Sequence, residues 1–182
     1  MNCYIVAESE NDVLLLQTLL GPELKHYNGS VRVLNRHPRS SVLSTAQMLR
    51  VARHQPVALV LDANTVNPGL INDQKDWVVA YMGEPHRGLL WDVFLAVPAL
   101  GVLLAPSQQF LEALLGGPVT VEQAVRARYE PGAVLDELTA ERGISRADLL
   151  KRLAAMDLTP LRERSPIPEL KAFLERASRL KA

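Results

Sequence analysis

Four short apolar runs constrain this chain more than any other feature: "NCYIVAE" near its start, then "SVRVLN", "VALVLD" and "WDVFLAVP". Each is too short for an ordinary helix, is rich in β-branched or aromatic residues, and is bounded by polar or turn-forming positions, so each reads as a strand. Runs with little polar interruption are how strands read when a parallel sheet buries both faces. Between them lie three segments whose apolar residues recur at helical spacing. Residues 1–98 therefore spell β-α-β-α-β-α-β. That order predicts a mostly parallel sheet over about 2–7, 30–35, 57–62 and 91–97, with right-handed crossovers and helices on both faces.

The helical segments carry start and stop signals. "SENDVLLLQTLLG" is capped by Ser9 or Asn11 and stops at Gly21-Pro22. "SSVLSTAQMLRVARH" (40–54) ends in arginine and histidine, as the helix dipole favours. "INDQKDWVVAYMG" (71–83) follows a loop of Gly, Asn and Pro. From about Pro106 the chain reads as helix after helix, with capping patterns at Thr120/Gln123 and Ser145/Asp148. These helices are short and no flexible linker precedes them. The expected organisation is an α/β domain over 1–116 and a helical C-terminal extension over 117–182 packed on it.

Of the 182 residues, 20 are Lys or Arg and 20 are Asp or Glu, so no global field draws the chain to nucleic acid or to a membrane. That balance argues against a high-affinity DNA coat protein, though not against a local basic patch. Arg32, Arg36, His37 and Arg39 gather near one strand end, with Arg50, Arg53 and His54 along and beyond the next helix. They read either as phosphate-holding groups or as solvated loop and helix-end charges. The single cysteine, Cys3, falls in the first apolar run, where a buried thiol is expected; one cysteine excludes a disulfide framework and a multi-cysteine zinc site. Trp77, Tyr81 and Trp91 read as core or groove residues. No secretory pattern opens the chain and no apolar stretch is long enough to span a bilayer, so a cytoplasmic protein with no membrane partner is expected.

Two of the apolar runs end on acids. The first ends on Glu8 and the third on Asp62, and Asp12 lies one turn into the intervening helix. If those strands are neighbours, the two acids meet at the carboxyl edge of the sheet, where open α/β folds bind ligands. Asp12 reaches the same point from the helix. Clustered carboxylates with the amide oxygen of Asn64 at hand form a hard-oxygen set, suited to Mg²⁺ or Mn²⁺ and not to zinc. Such an ion activates water or steadies a phosphoryl transition state. The plain alternative is two solvated strand ends and a first-turn helix acid.

"VAESENDVLLLQTLL" resembles the first motif of Toprim domains, in which Glu, usually followed by Gly, precedes an Asp by four residues; Glu8, Ser9 and Asp12 occupy these positions. "LVLDANT" resembles the Asp-x-Asp motif of the same fold, with Asp62 in place and Asn64 where the second Asp is expected. "FLAVPALGVLLA" and "RERSPIPELKAFLERA" are similar to the fourth-strand segment and the terminal helix of compact Toprim-like proteins related to the overcoming-lysogenization-defect nucleases. The resemblance implies a Toprim-like α/β fold and a Mg²⁺- or Mn²⁺-dependent, phosphodiester-acting, nuclease-like protein. Glu8, Asp12 and Asp62 would be its catalytic acids and metal ligands, with Asn64 an auxiliary ligand, and its partner would be nucleic acid or a protein. Two departures weaken such a site: Asn64 replaces a carboxylate, and Gly101 stands where the later Glu is expected. Restoring Asp at 64 is then expected to strengthen metal binding. A degenerate site also suits a non-catalytic module that works through a partner protein.

"IVAESENDVLLLQTLL" and "LVLDANTVNPGL" also resemble the acidic pocket and phosphoacceptor loop of receiver domains. "GVLLAPSQQFLEALL" resembles their Lys-Pro turn and last helix, with Ala105 in place of the Lys. Against a receiver, only a few residues separate Pro98 from "GVLLA", leaving no room for the helix a receiver places there. The two resemblances part at one place. Toprim implies that the chain turns into helix directly after Pro98, whereas a receiver implies that Gly101 to Ala105 add a strand.

Overall fold

All four apolar runs are strands, and they form one parallel sheet. The computed structural model describes residues 2–83 and 90–180, so residues 1, 84–89 and 181–182 of the two expected spans lie outside the described residues. Strands β1 (Cys3–Ala7), β2 (Val31–Asn35), β3 (Val57–Asp62) and β4 (Trp91–Ala96) lie in the order β2-β1-β3-β4, each pair parallel. Ala7 stands opposite Asn35 on one side and Val60 on the other, so β3 overhangs the end of β1 and carries Asp62 beyond it. The α/β class expected from the alternation is the class observed.

Helices α1 (Glu10–Leu19) and α2 (Gly21–His26) lead to β2, α3 (Arg39–Val51) leads back to β3, and α4 (Pro68–Met82) joins β3 to β4. The period of two along β1 sorts its side chains. Cys3, Ile5 and Ala7 pack with Leu15, Leu16 and Leu19 of α1. Tyr4 and Val6 pack with Val42, Leu43, Ala46 and Leu49 of α3 and with Val78 and Met82 of α4. One face is thus covered by α1 and the other by α3 and α4. The winding reverses between β1 and β3, and the carboxyl ends of those strands flank the crevice where doubly wound sheets take ligands.

Two boundaries differ from expectation or decide between expectations. Helix α4 begins at Pro68, earlier than the expected 71, because Asn67 caps it: its Oδ1 accepts the Gly69 N–H at 2.9 Å. Proline suits the first turn, where an N–H has no helical partner in any case. Leu100–Leu104 is a 3-10 helix outside the sheet. The turn into helix after Pro98 is therefore found, and the receiver's strand from Gly101 to Ala105 is not.

The remaining helices are α5 (Gln108–Leu115), α6 (Val121–Arg126), α7 (Pro131–Glu141), α8 (Arg146–Ala154), α9 (Thr159–Arg162) and α10 (Ile167–Arg179). Gly116 closes α5 at φ 69°, a left-handed conformation that glycine takes without strain. Helix α10 buries Leu170, Phe173, Leu174 and Ala177, an i, i+3, i+4, i+7 stripe. That stripe, Leu114 of α5, Val134 and Leu138 of α7 and Leu153 of α8 join the same apolar cluster as Cys3, Ile5 and Ala7. Phe173 meets Phe94 of β4 edge to face with ring centroids 6.1 Å apart. Glu23 of α2 accepts from Arg162 at 2.6 Å and pairs with Lys171 at 3.4 Å. The C-terminal helices therefore complete the α1-side core of the sheet. Cys3 is buried. No helix among the described residues is long and apolar enough to cross a membrane.

Candidate functional site

The overhang of β3 leaves the Asp62 N–H without a strand partner on β1, and Glu8 supplies one: its Oε2 accepts that N–H at 2.7 Å. Both acids therefore stand at one edge of the sheet. Arg39, the first residue of α3, donates from Nε to Glu8 Oε1 at 2.7 Å and from Nη2 to Oε2 at 3.0 Å. This is the two-point fork that makes guanidinium–carboxylate pairs strong. Nη2 also donates to the Asp62 carbonyl, and Nη1 to Gln74 Oε1 at 3.2 Å. Gln74 in turn donates to the Ala63 carbonyl at 2.8 Å. Glu8 holds the Arg39 guanidinium above its ordinary range, against the opposing effect of burial. Arg39 thus leaves the basic cluster and serves as the counter-charge of Glu8.

Asp12 and Asp62 line a cavity of about 260 Å³ beside this clamp. Ser9 caps α1, its Oγ accepting the Asp12 N–H at 3.1 Å, while Asp12 Oδ2 accepts the Ser9 hydroxyl at 2.6 Å and the Ser9 N–H at 3.1 Å. Asp62 Oδ1 accepts the Leu100 N–H at 2.8 Å. Leu15, Leu104, Leu135 and Leu149 form apolar walls, and Asp136 of α7 and Arg146 of α8 also line the cavity. No ion pair among the described residues involves Asp12 or Asp62. Burial first, then the charge of Asp12, push Asp62 up to about 6; Glu8 adds to the rise, while the Leu100 N–H and Arg39 oppose it. Asp12 is also raised, by burial first and then by the charge of Glu8, against the hydrogen bonds from Ser9 and the charge of Arg146. The cavity is short of positive charge.

Asn64 does not line this cavity, although its side-chain amide donates to the Asp62 carbonyl at 3.4 Å. Its φ of 53° is left-handed, a conformation in which asparagine is at ease and most residues are not. Its N–H donates to the Pro98 carbonyl at 2.7 Å, and the residue lines a second groove with Leu70, Asp73, Gln74 and Trp77. The turn itself accounts for an asparagine here. An aspartate at 64 would face that groove and not the cavity, so the strengthening expected of Asn64→Asp loses its geometric basis. Of the four expected site residues, Asp12 and Asp62 line one cavity, Glu8 is tied to Arg39 beside them, and Asn64 touches the Asp62 carbonyl from the neighbouring groove.

Set beside known proteins, the chain matches no family model, no curated protein and no solved structure. Its chemistry rests on its own residues. Among the described residues no three His, Cys, Asp or Glu side chains form a group that could hold a metal ion. Mg²⁺ takes only one or two carboxylates when substrate phosphates and water complete its shell, and Asp12 and Asp62 are oxygen donors of that kind. A metal pair about 3.5–4 Å apart would need further carboxylates, and Glu8 is committed to Arg39. Gly101 lines the cavity and brings no acid to it.

Sequence reasoning names Ser9 as a cap and Arg39 as a basic-cluster residue without foreseeing their partners, and it misses Arg146. Ser9-x-x-Asp12 is itself a capping-box pattern, a signal that Asp12 is fixed from its backbone side. The pairing of Arg39 with Glu8 and the arrival of Arg146 at the cavity join elements far apart in the chain, and no spacing announces them.

Proposed function

We propose that this protein is a Toprim-like, phosphate-ester-binding protein whose cavity takes one Mg²⁺ or Mn²⁺ ion between Asp12 and Asp62, with phosphodiester cleavage feeble at most. One observation carries the reading: two carboxylates share a cavity, and among the described residues neither is in an ion pair. When bound, such an ion supplies charge stabilisation at a phosphoryl oxygen. The chain's own groups hold the carboxylates ready, Asp62 through the Leu100 N–H and Asp12 through Ser9. Glu8 does not line the cavity, and Arg39 and the Asp62 N–H occupy its oxygens, so it is not free to take a proton from attacking water. That engagement supports weak turnover. A cavity of about 260 Å³ suits a phosphate group or a strand end, since sites that engulf drug-sized ligands run to roughly 300–1,000 Å³.

A second reading, a non-catalytic module acting through a partner protein, is favoured by α4. Its buried residues are Val78 and Met82 alone. Leu70, Trp77 and Tyr81 are exposed, with the two aromatic rings stacked at 6.1 Å. Calorimetric titration of the wild type and Asp62→Ala with Mn²⁺, alongside cleavage of a single-stranded oligonucleotide, separates the two. Weak binding by the wild type, none by Asp62→Ala and little or no cleavage are expected. Equal binding by both proteins would remove the cation reading and leave the interaction module.

A further inference from the structure

The proposed cation site leaves two charged groups of the cavity unused, Asp136 and Arg146. Arg146, the first residue of α8, lines the same cavity as Asp12 and Asp62. The residue is exposed and its charge acts on Asp12, and among the described residues it makes no hydrogen bond and no close ion pair. Its own helix gives no reason for an arginine there, because the first turn of a helix disfavours a cation. The acid of that turn, Asp148, is engaged by the Ser145 hydroxyl at 2.6 Å and by Lys151 at 3.8 Å.

We propose that Arg146 is the phosphate-holding residue of this site, so that a phosphate carried by the cation at Asp12 and Asp62 is also held by the guanidinium that lines the same cavity. The inference rests on the cation reading above. A guanidinium and two carboxylates that share a cavity without pairing leave a gap between opposite charges. A ligand with a cationic end and an oxyanionic end fills it, and the planar fork of arginine matches phosphate oxygens at two points. Asp136 also lines the cavity and repels a bare anion, so the phosphate enters with its metal. None of the lining residues is aromatic, so no base-stacking platform is present. The ligand class is a phosphate end recognised without regard to the base it carries. On this assignment the C-terminal helices supply a binding group as well as a wall.

Inorganic phosphate is the probe. Mg²⁺ is titrated into the wild type, Arg146→Ala, Arg146→Lys and Lys151→Ala, with and without phosphate, and the affinity ratio is the readout. Phosphate is expected to tighten Mg²⁺ binding to the wild type by about tenfold, the scale of one charge-assisted contact. Arg146→Ala is expected to bind Mg²⁺ alone at least as well, since a positive charge near Asp12 is gone, and to lose most of the gain from phosphate. Arg146→Lys keeps part of the gain. Lys151→Ala, which removes the same charge outside the cavity, keeps it all. An undiminished gain in Arg146→Ala, or an equal loss in Lys151→Ala, overturns this inference alone. A wild type that binds no Mg²⁺ in either condition overturns the cation reading and the inference with it.

Discussion

Asp62→Asn is expected to stabilise the metal-free protein at neutral pH and to leave its stability unchanged in acid. The amide oxygen can still accept the Leu100 N–H that Asp62 Oδ1 accepts at 2.8 Å, so the substitution removes a charge and little else. In the folded chain Asp62 is raised from an ordinary 3.8 to about 6, chiefly by burial and by Asp12. The folded state therefore binds the proton more tightly than the unfolded state. Stability from this group is fully present below about pH 4 and is lost as the pH climbs through about 6. A rise of about two units corresponds to about 3 kcal/mol, which solvent screening of a partly exposed carboxyl reduces to about 1–2 kcal/mol. For a chain of this size that is about 2–8 °C in melting temperature. Urea unfolding of both proteins in chelator, in steps from pH 4 to pH 8, measures the gap. It is expected near zero at pH 4, to open towards pH 6.5 and to stay level above pH 7. A gap that does not change with pH, or a variant less stable than wild type at pH 8, would refute the account of Asp62 as an unbalanced charge.

Three further substitutions probe the surroundings. Arg39→Ala strands a Glu8 side chain only 17% exposed and is expected to cost about 2 kcal/mol in urea unfolding, with much of the loss recovered in the double variant with Glu8→Gln. Ser9→Ala removes the cap of α1, at about 1 kcal/mol, and also the hydroxyl that Asp12 accepts; the Asp12 titration followed by NMR is expected to move to higher pH. Gly101→Ala places a Cβ 3.5 Å and 3.7 Å from carbons of Pro131, an ordinary contact, and is expected to change stability by less than about 0.5 kcal/mol in thermal unfolding.

What the sequence discloses about this protein follows the range over which each signal acts. The strands and their order of alternation are local and periodic, and the convergence of Glu8 and Asp62 follows from them once β1 and β3 are neighbours. The start of α4 is hidden because Asn-Pro-Gly is a turn signature as well as a cap followed by a first-turn proline. The run from Leu100 to Leu104 is apolar without a period, so its own sequence does not separate a strand from the 3-10 helix found there. Asn64 is misleading for a different reason. Side-chain chemistry suggests a weakened ligand, whereas a left-handed backbone is the stronger constraint. The cavity walls from α7 and α8 are tertiary, and the capping patterns that reveal those helices say nothing of what they cover.

The shared core has a consequence for how the chain is made. The α3 and α4 side of the sheet is complete once β4 has emerged, since the buried residues of that side end at Val93. The opposite side has only α1 and α2 until α5 to α10 arrive, and the stripe from Leu170 to Ala177 comes last. At roughly 5–20 residues per second, that side of a half-built sheet stays uncovered on the ribosome for a time on the order of ten seconds. Proteolysis of ribosome-bound chains of graded length reads this directly, with sensitivity expected until α10 clears the exit tunnel. The length of chain between β1 and α10 thus sets how long that face waits for its cover, and a stop or frameshift between β4 and α10 leaves Cys3, Ile5 and Ala7 without the stripe from Leu170 to Ala177.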